Sequence, residues 1–229
     1  DIMGGADAMR KNAALHLPKF PHEDDSDYTA RTKTAPFTAI YEDIARNLTS
    51  KPFAREVGIG EKASDTIKSY VENIDGRGNH LNVFAKSTFV NAVNNGVEAV
   101  LVDYPDVAPA KTRAEEKSRN SRPYCVRIPI QNIIAAYFDT VGGVEILAHI
   151  RIYEPAVVRD GFSEKTVERV RIIEREPMLD ENGDAVAYAA PSWRVLEKRT
   201  VNGQTEWFQI KDGTYSVPAI PIEFMFIGE

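Results

Sequence analysis

The chain of 229 residues holds a single cysteine, so no internal disulfide framework is available to it. That residue, Cys125, sits in the run Pro123-Tyr124-Cys125-Val126-Arg127-Ile128-Pro129, a short apolar strand pattern in which a buried, inert thiol is expected. A secretory signal is missing, as is any run of about twenty apolar residues, and the default expectation is an intracellular chain without a membrane partner. Phosphate-cradling loops are missing too. Gly58-Ile59-Gly60 and Gly76-Arg77-Gly78 lack the strand–turn–helix frame of a dinucleotide fingerprint, and no GxxxxGK[ST] occurs. Without a GxSxG elbow, Ser87, Ser121 and Ser163 read as plain serines. The four histidines, His16, His22, His80 and His149, have no HxxxH or HExxH spacing. Zinc needs three or four convergent ligands. Local hydrogen-bonding or packing roles are therefore expected of His80 and His149. No catalytic, cofactor or metal residue is assigned from the sequence.

Charge is present but unconcentrated. The 34 acidic and 28 basic residues give a net charge of -6. Acidic and basic residues number 9 and 8 in each of the stretches 1–60, 61–120 and 121–180. From 181 onward they number 7 and 4. No basic arm or patch marks a surface that grips a nucleic-acid backbone, since such affinity comes mainly from basic groups. A hydrophobic fraction of 43% with 27% charged residues is ordinary for a globular protein with a real core.

Periodicity then divides the chain. A short helix fits residues 6–17, broken by Pro18, Pro21 and the acidic run 22–27. A helix is expected from Asp27 or Tyr28 to Leu48, with Phe37, Ile40, Tyr41, Ile44 and Leu48 on one apolar face; Pro36 either kinks it or starts a second helix. A further helix spans 62–74 with Ile67, Tyr70, Val71 and Ile74 inward. The third runs over 80–95, capped by Asn79, striped by Leu81, Phe84, Ala85, Thr88, Phe89, Ala92 and Val93, and stopped by Gly96. It feeds a buried strand over 97–102. Residues 105–121 read as an exposed polar loop. After it the period changes to two. Strands are expected over 124–128, 134–139 and 144–153, the last two forming a hairpin across Thr140-Val141-Gly142-Gly143. A strand over 166–173 would point Arg169 and Arg171 away from the core, and a hairpin closes around Asn202-Gly203. Helices first and antiparallel strands after give an α+β fold, helical in 1–104 and mainly β in 122–229.

Three places invite a chemical reading. Asp106 followed by Glu115-Glu116-Lys117 has the composition of a divalent-metal nuclease, two carboxylates for Mg²⁺ and a lysine for developing phosphate charge. Such groups belong on rigid adjacent strands, and these lie in a run without apolar alternation, which favours a solvated loop. Asp103, at the end of the strand before Tyr104-Pro105, is a possible site position, with ordinary turn chemistry as the stronger reading. The sequon Asn47-Leu48-Thr49 falls in the last turn of a predicted helix.

The order of features is more informative than any one of them. Leu17-Pro18-Lys19 precedes Tyr28-Thr29-Ala30-Arg31 and Ala35-Pro36-Phe37; Asn73-Ile74-Asp75-Gly76 and His80-Leu81-Asn82-Val83-Phe84-Ala85 follow. Then come Ala92-Val93-Asn94-Asn95-Gly96, the strand 97–102 with Asp103-Tyr104-Pro105, and Arg122-Pro123-Tyr124. In this order, over nearly the whole chain, the sequence resembles the portal (head–tail connector) proteins of tailed bacteriophages, specifically a prophage-associated portal-like family. The resemblance implies a wing-like domain in which 1–104 and 122–229 are continuous, taken from a polypeptide about twice as long. The apolar run near Glu229 fits that expectation. It further implies a structural subunit of a ring, typically a dodecamer, at the capsid vertex of a virion assembled in the bacterial host cytoplasm. Double-stranded DNA would pass through the ring, with terminase, capsid and head–tail adaptor proteins as further partners and no covalent chemistry. A metal-dependent nuclease and another capsid-associated adaptor are the alternatives. If the ring reading holds, the helix faces in 28–48 and 80–95 and the loop 105–121 are candidate neighbour contacts, although core packing is the stronger expectation for the stripes. An acidic surface suits a channel through which DNA slides without being held.

Overall fold

In a computed structural model, residues 2–105, 112, 114–115, 121–201 and 203–228 are described. The fold is α+β, with helices gathered in the N-terminal part and antiparallel strands after them. The helices are α1 (Gly5–Lys11), α2 (Ala13–His16), α3 (Asp25–Thr34), α4 (Ile40–Ser50), α5 (Asp65–Tyr70) and α6 (Leu81–Asn95). The strands are β1 (Val97–Asp103), β2 (Tyr124–Pro129), β3 (Ile133–Val141), β4 (Val144–Tyr153), β5 (Ala156–Asp160), β6 (Ser163–Val167), β7 (Arg169–Glu174), β8 (Pro177–Leu179), β9 (Ala185–Tyr188), β10 (Ser192–Val201), β11 (Gln204–Thr214) and β12 (Ile222–Phe226).

Two sheets face one another. One has the order β12-β1-β2 and the other β11-β10-β7-β4-β3. Two small hairpins, β5-β6 and β8-β9, pair with neither sheet, although Tyr188 of β9 donates to Asp139 of β3. Strand β1 is central in the first sheet and alternates its faces, as a strand covered on both sides must. Ala99 and Leu101 turn toward Ile150, Ile152 and Ile173 of the second sheet, joined by Ile128, Ile220 and Ile222. On the other face Glu98 meets α6 through Asn91. Gly96 joins the two elements in the left-handed region at φ +81°, which glycine adopts without a Cβ penalty. Gly213 is needed for a different reason: a Cβ there would lie 2.9 Å from the ring of Trp193 on the neighbouring strand.

Several sequence expectations need correction. The span 28–48 is two helices, separated by residues 35–39. Ala35, at φ -53° and ψ 124°, takes the extended conformation that a following proline imposes, so Phe37 belongs to no helix. The second helix begins at Ile40, not at Pro36. Its apolar stripe is not buried: Ile40, Tyr41, Ile44 and Leu48 are 44–60% exposed, while the smaller Ala45 and Thr49 face inward. Thr49, the sequon hydroxyl, donates to the Ala45 carbonyl at 2.7 Å. The helix expected over 62–74 is α5, capped by Ser64, followed by a 3-10 turn at Val71–Asn73. His80, not Asn79, caps α6, its Nδ1 accepting from the Asn82 N–H.

The strand expected over 166–173 is two strands. β6 pairs with β5, whereas β7 lies between β10 and β4. Arg171 does not face away. It crosses to the other sheet and donates to Asp103 Oδ2 at 2.7 Å and to Glu154 Oε2 at 3.1 Å. Hairpins β3-β4 and β10-β11 form where the turn glycines indicated, with Gly203 at φ +79° and Asn202 outside the described residues. The loop 105–121 also lies largely outside them, although Ser121 at its end is buried and donates to the Tyr104 hydroxyl. Upstream, Arg31 grips Glu23 through two bonds of 2.7 Å and lies 4.5 Å from the Phe20 ring centroid, ordering the acidic run ahead of α3.

The Arg171–Asp103 pair is nearly removed from water, so losing one partner strands the other charge. Arg171→Met should lower the unfolding free energy by about 3 kcal/mol, and the double variant with Asp103→Leu should recover most of it. Chemical denaturation of both variants against wild type checks this; equal losses in the single and the double variant would contradict it.

Candidate functional site

A cavity of about 350 Å³ opens between a turn, a helix and a strand, lined by Asp75, Arg77 and Asn79, by Val83, Phe84 and Ser87, and by Cys125, Val126 and Arg127. The turn is built by its own side chains. Asp75 Oδ1 accepts from the Arg77 N–H at 2.9 Å and the Asn79 N–H at 3.2 Å, while Oδ2 accepts from Asn79 Nδ2 at 2.6 Å. Gly78 N–H donates to Asn73 Oδ1 at 2.7 Å, with Gly76 and Gly78 both at positive φ. The turn is fastened to β2 by the Cys125 N–H, which donates to the Ile74 carbonyl at 2.9 Å, and by Arg122, which donates to the Asn73 carbonyl. The helical wall comes from the first two turns of α6, placed by the His80 cap. Cys125 and Arg127 alternate with the core-facing Val126 and Ile128 along β2, so both side chains look toward α6.

The electrostatics favour binding over reaction at these groups. Burial pushes the Cys125 thiol up; Arg122 opposes it and Asp75, with the smallest effect, adds to it, so the neutral thiol dominates near neutral pH. Asp75 is held below the usual carboxylate range: partial burial opposes ionisation, but the bonds from Asn79 and Arg77 outweigh it. Its oxygens are committed to the turn. What the cavity offers is positive charge and an apolar wall.

A second polar cluster joins the two sheets. Arg171, with Asp103 and Glu154 as carboxylate partners, lies 5.6 Å from the Trp193 ring centroid. Tyr215 Oη approaches Asp103 Oδ1 at 3.4 Å, and Asp103 Oδ1 also accepts from the Tyr104 N–H at 2.9 Å. Burial, then the Asp103 charge, pushes Tyr215 up to about 12. Every charge here has its partner inside the protein, which makes the cluster a clasp between sheets, in keeping with the structural reading of Asp103.

The other sequence candidates are dispersed. Asp106, Glu116 and Lys117 lie outside the described residues; the Glu115 backbone N–H donates to Thr112 Oγ1 at 3.2 Å. Among the described residues no three His, Cys, Asp or Glu side chains group to hold a metal ion. His149 bonds Glu174 at 3.2 Å and Arg151 at 2.9 Å on the outer sheet face, where Arg194 also pairs with Glu174 at 2.7 Å. Ser163 donates to the Asp160 carbonyl at 2.9 Å, whereas Ser87 lines the cavity. Sequence reasoning missed Arg77 and Arg127. The only local signal was the Asp75-Gly76-Arg77-Gly78 turn, and nothing in it indicated β2 as its neighbour. Among the described residues no helix is long and apolar enough to cross a membrane. No known family and no curated protein matches the chain.

Two outcomes follow from buried polar groups. A tyrosine whose folded-state pKa is raised stabilises the fold below its unfolded value and loses that contribution as pH rises through the folded value. Wild type should therefore lose stability between about pH 10 and about 12 more steeply than Tyr215→Phe, as read by unfolding midpoints across that window. Glu98 is fully buried, with Oε1 accepting from Asn91 Nδ2 at 3.2 Å and Oε2 lacking a partner among the described residues. Glu98→Gln keeps the accepting oxygen and removes the ionisable group. It should hold or raise the unfolding free energy by about 1 kcal/mol, and a loss of that size in denaturant titration would contradict the assignment.

Proposed function

We propose that the chain is a structural subunit of a portal-type ring, its fold corresponding to the wing-like part of such a subunit. The observation that carries this reading is the outward apolar face of α4, where Ile40, Tyr41, Ile44 and Leu48 stand in solvent on one side of an eleven-residue helix. An apolar stripe left uncovered by its own fold is what an interaction surface requires. A head-to-tail ring needs two different surfaces on each subunit, unlike a twofold dimer, which reuses one.

A second surface supports the ring. Phe138, Phe224 and Phe226 form an aromatic string across the edge of both sheets, with centroid separations of 6.5 and 6.1 Å, and Phe226 is 74% exposed. In this reading the α4 stripe of one copy meets the aromatic edge of the next. The even charge distribution and the absence of a basic tract agree with a subunit that surrounds DNA without holding it.

Negative-stain imaging of the protein expressed from its complete reading frame should reveal closed rings with a central hole. Ile44→Asp combined with Leu48→Asp should abolish the rings while leaving the unfolding midpoint within the range of wild type, since both side chains are exposed. A wild-type protein that stays monomeric at about 100 μM, a concentration at which even weak obligate contacts are filled, would rule the proposal out.

A further inference from the structure

The fourteen described arginines fall into two groups. Eleven engage a carboxylate, a carbonyl, a histidine or an aromatic ring through their side chains. Arg55, Arg77 and Arg127 have no such partner among the described residues, and two of these three line the same cavity. Arg127 is half-buried on the α6-facing side of β2, where an unpaired guanidinium is costly unless an anion or water reaches it. The acid in the lining, Asp75, bonds neither guanidinium; its two oxygens accept three bonds from the turn instead. Ser87 adds a hydroxyl to the same wall without a hydrogen-bond partner among the described residues.

We propose that this cavity binds a phosphate-bearing small molecule, with Arg77 and Arg127 pairing the phosphate oxygens and Ser87 donating to one of them. Planar guanidinium groups present paired N–H donors that match a phosphate. Two of them against one committed carboxylate leave the lining net positive. The volume of about 350 Å³ lies in the range of small-molecule sites and is closed to a duplex, whose phosphates could meet only the rim. Phe84 and Val83 supply an apolar wall for the organic part of the ligand. The neutral Cys125 thiol adds no negative charge to oppose it. No acidic residue occupies the first turn of α6, so the positive end of that helix dipole is uncompensated on the same side.

The probe is pyrophosphate, titrated calorimetrically into the full chain at fixed ionic strength, with sulfate as the control anion. Saturable binding with a Kd below about 1 mM is expected, weakened about tenfold by Arg77→Gln or Arg127→Gln and unchanged by Arg55→Gln. Arg77 offers the safer variant, because its backbone and not its side chain bonds the turn; unfolding midpoints confirm that each variant folds. A second readout uses Cys125, whose alkylation by a maleimide should slow when pyrophosphate fills the cavity and regain its rate in Arg127→Gln. Absence of saturation up to about 10 mM overturns the proposal. So does an equal loss in Arg55→Gln, which would mean general charge attraction. Binding of a DNA duplex that Arg77→Gln and Arg127→Gln weaken, in the absence of pyrophosphate binding, would likewise replace the small molecule with a nucleic-acid backbone.

Discussion

Arg171 and Asp103 hold opposite sheets together at a place where the apolar core alone would leave their relative position free. Leu101, Ile150, Ile152 and Ile173 supply the non-directional part of the contact between sheets. The ion pair, with Glu154, Tyr215 and the Trp193 ring around it, adds direction: only one alignment of β1 against β7 satisfies all of these groups. A buried charge pair is a poor source of net stability compared with apolar side chains of the same volume. Its effect is on specificity. Slipping β7 by one residue would bring Val170 or Ile172 opposite Asp103 and leave a carboxylate without a cation.

With the sheets aligned, the remaining elements divide by which side of the three-stranded sheet they occupy. α6 covers the face opposite the second sheet, and its start sets one wall of the cavity. The turn 73–79 sets another, and β2 closes the third. The cavity therefore depends on the same strand that carries the inter-sheet core on its other side. α4 buries Ala45 and Thr49 and reaches α6 through the Tyr41 hydroxyl, which donates to Asn94 Oδ1 at 3.3 Å, while Ile40, Ile44 and Leu48 remain available outside. Interior and exterior roles are thus divided along single elements: small residues of α4 turn inward, and Ile40, Ile44 and Leu48 face out.

Much of this architecture was legible from local pattern. The run from Leu81 through Gly96 into Val97 reads as helix, left-handed stop and buried strand, because each step depends on neighbours within a few residues. The turns at Gly142-Gly143 and Asn202-Gly203 specified their hairpins for the same reason. Pro36 announced a break, although not its length. Two of the misreadings concern faces, not periods. The 3.6-residue stripe on α4 is real, but periodicity identifies an apolar face without saying what covers it. Arg171 alternates with Val170 and Ile172 as expected, yet both sides of β7 are covered, so alternation could not tell inside from outside.

The sequence by itself determined the α+β order, the αβ unit around Gly96 and the two long hairpins, since turn chemistry and short-range periodicity act within a dozen residues. Tertiary structure alone decided that β12 pairs with β1, a partner more than a hundred residues away. It alone turned Arg171 inward to Asp103, left the α4 stripe uncovered and brought Arg77 beside Arg127. Each of these outcomes depends on which surfaces the collapsed chain can bury together and which charges it must then neutralise. No window along the chain contains both members of any such pair.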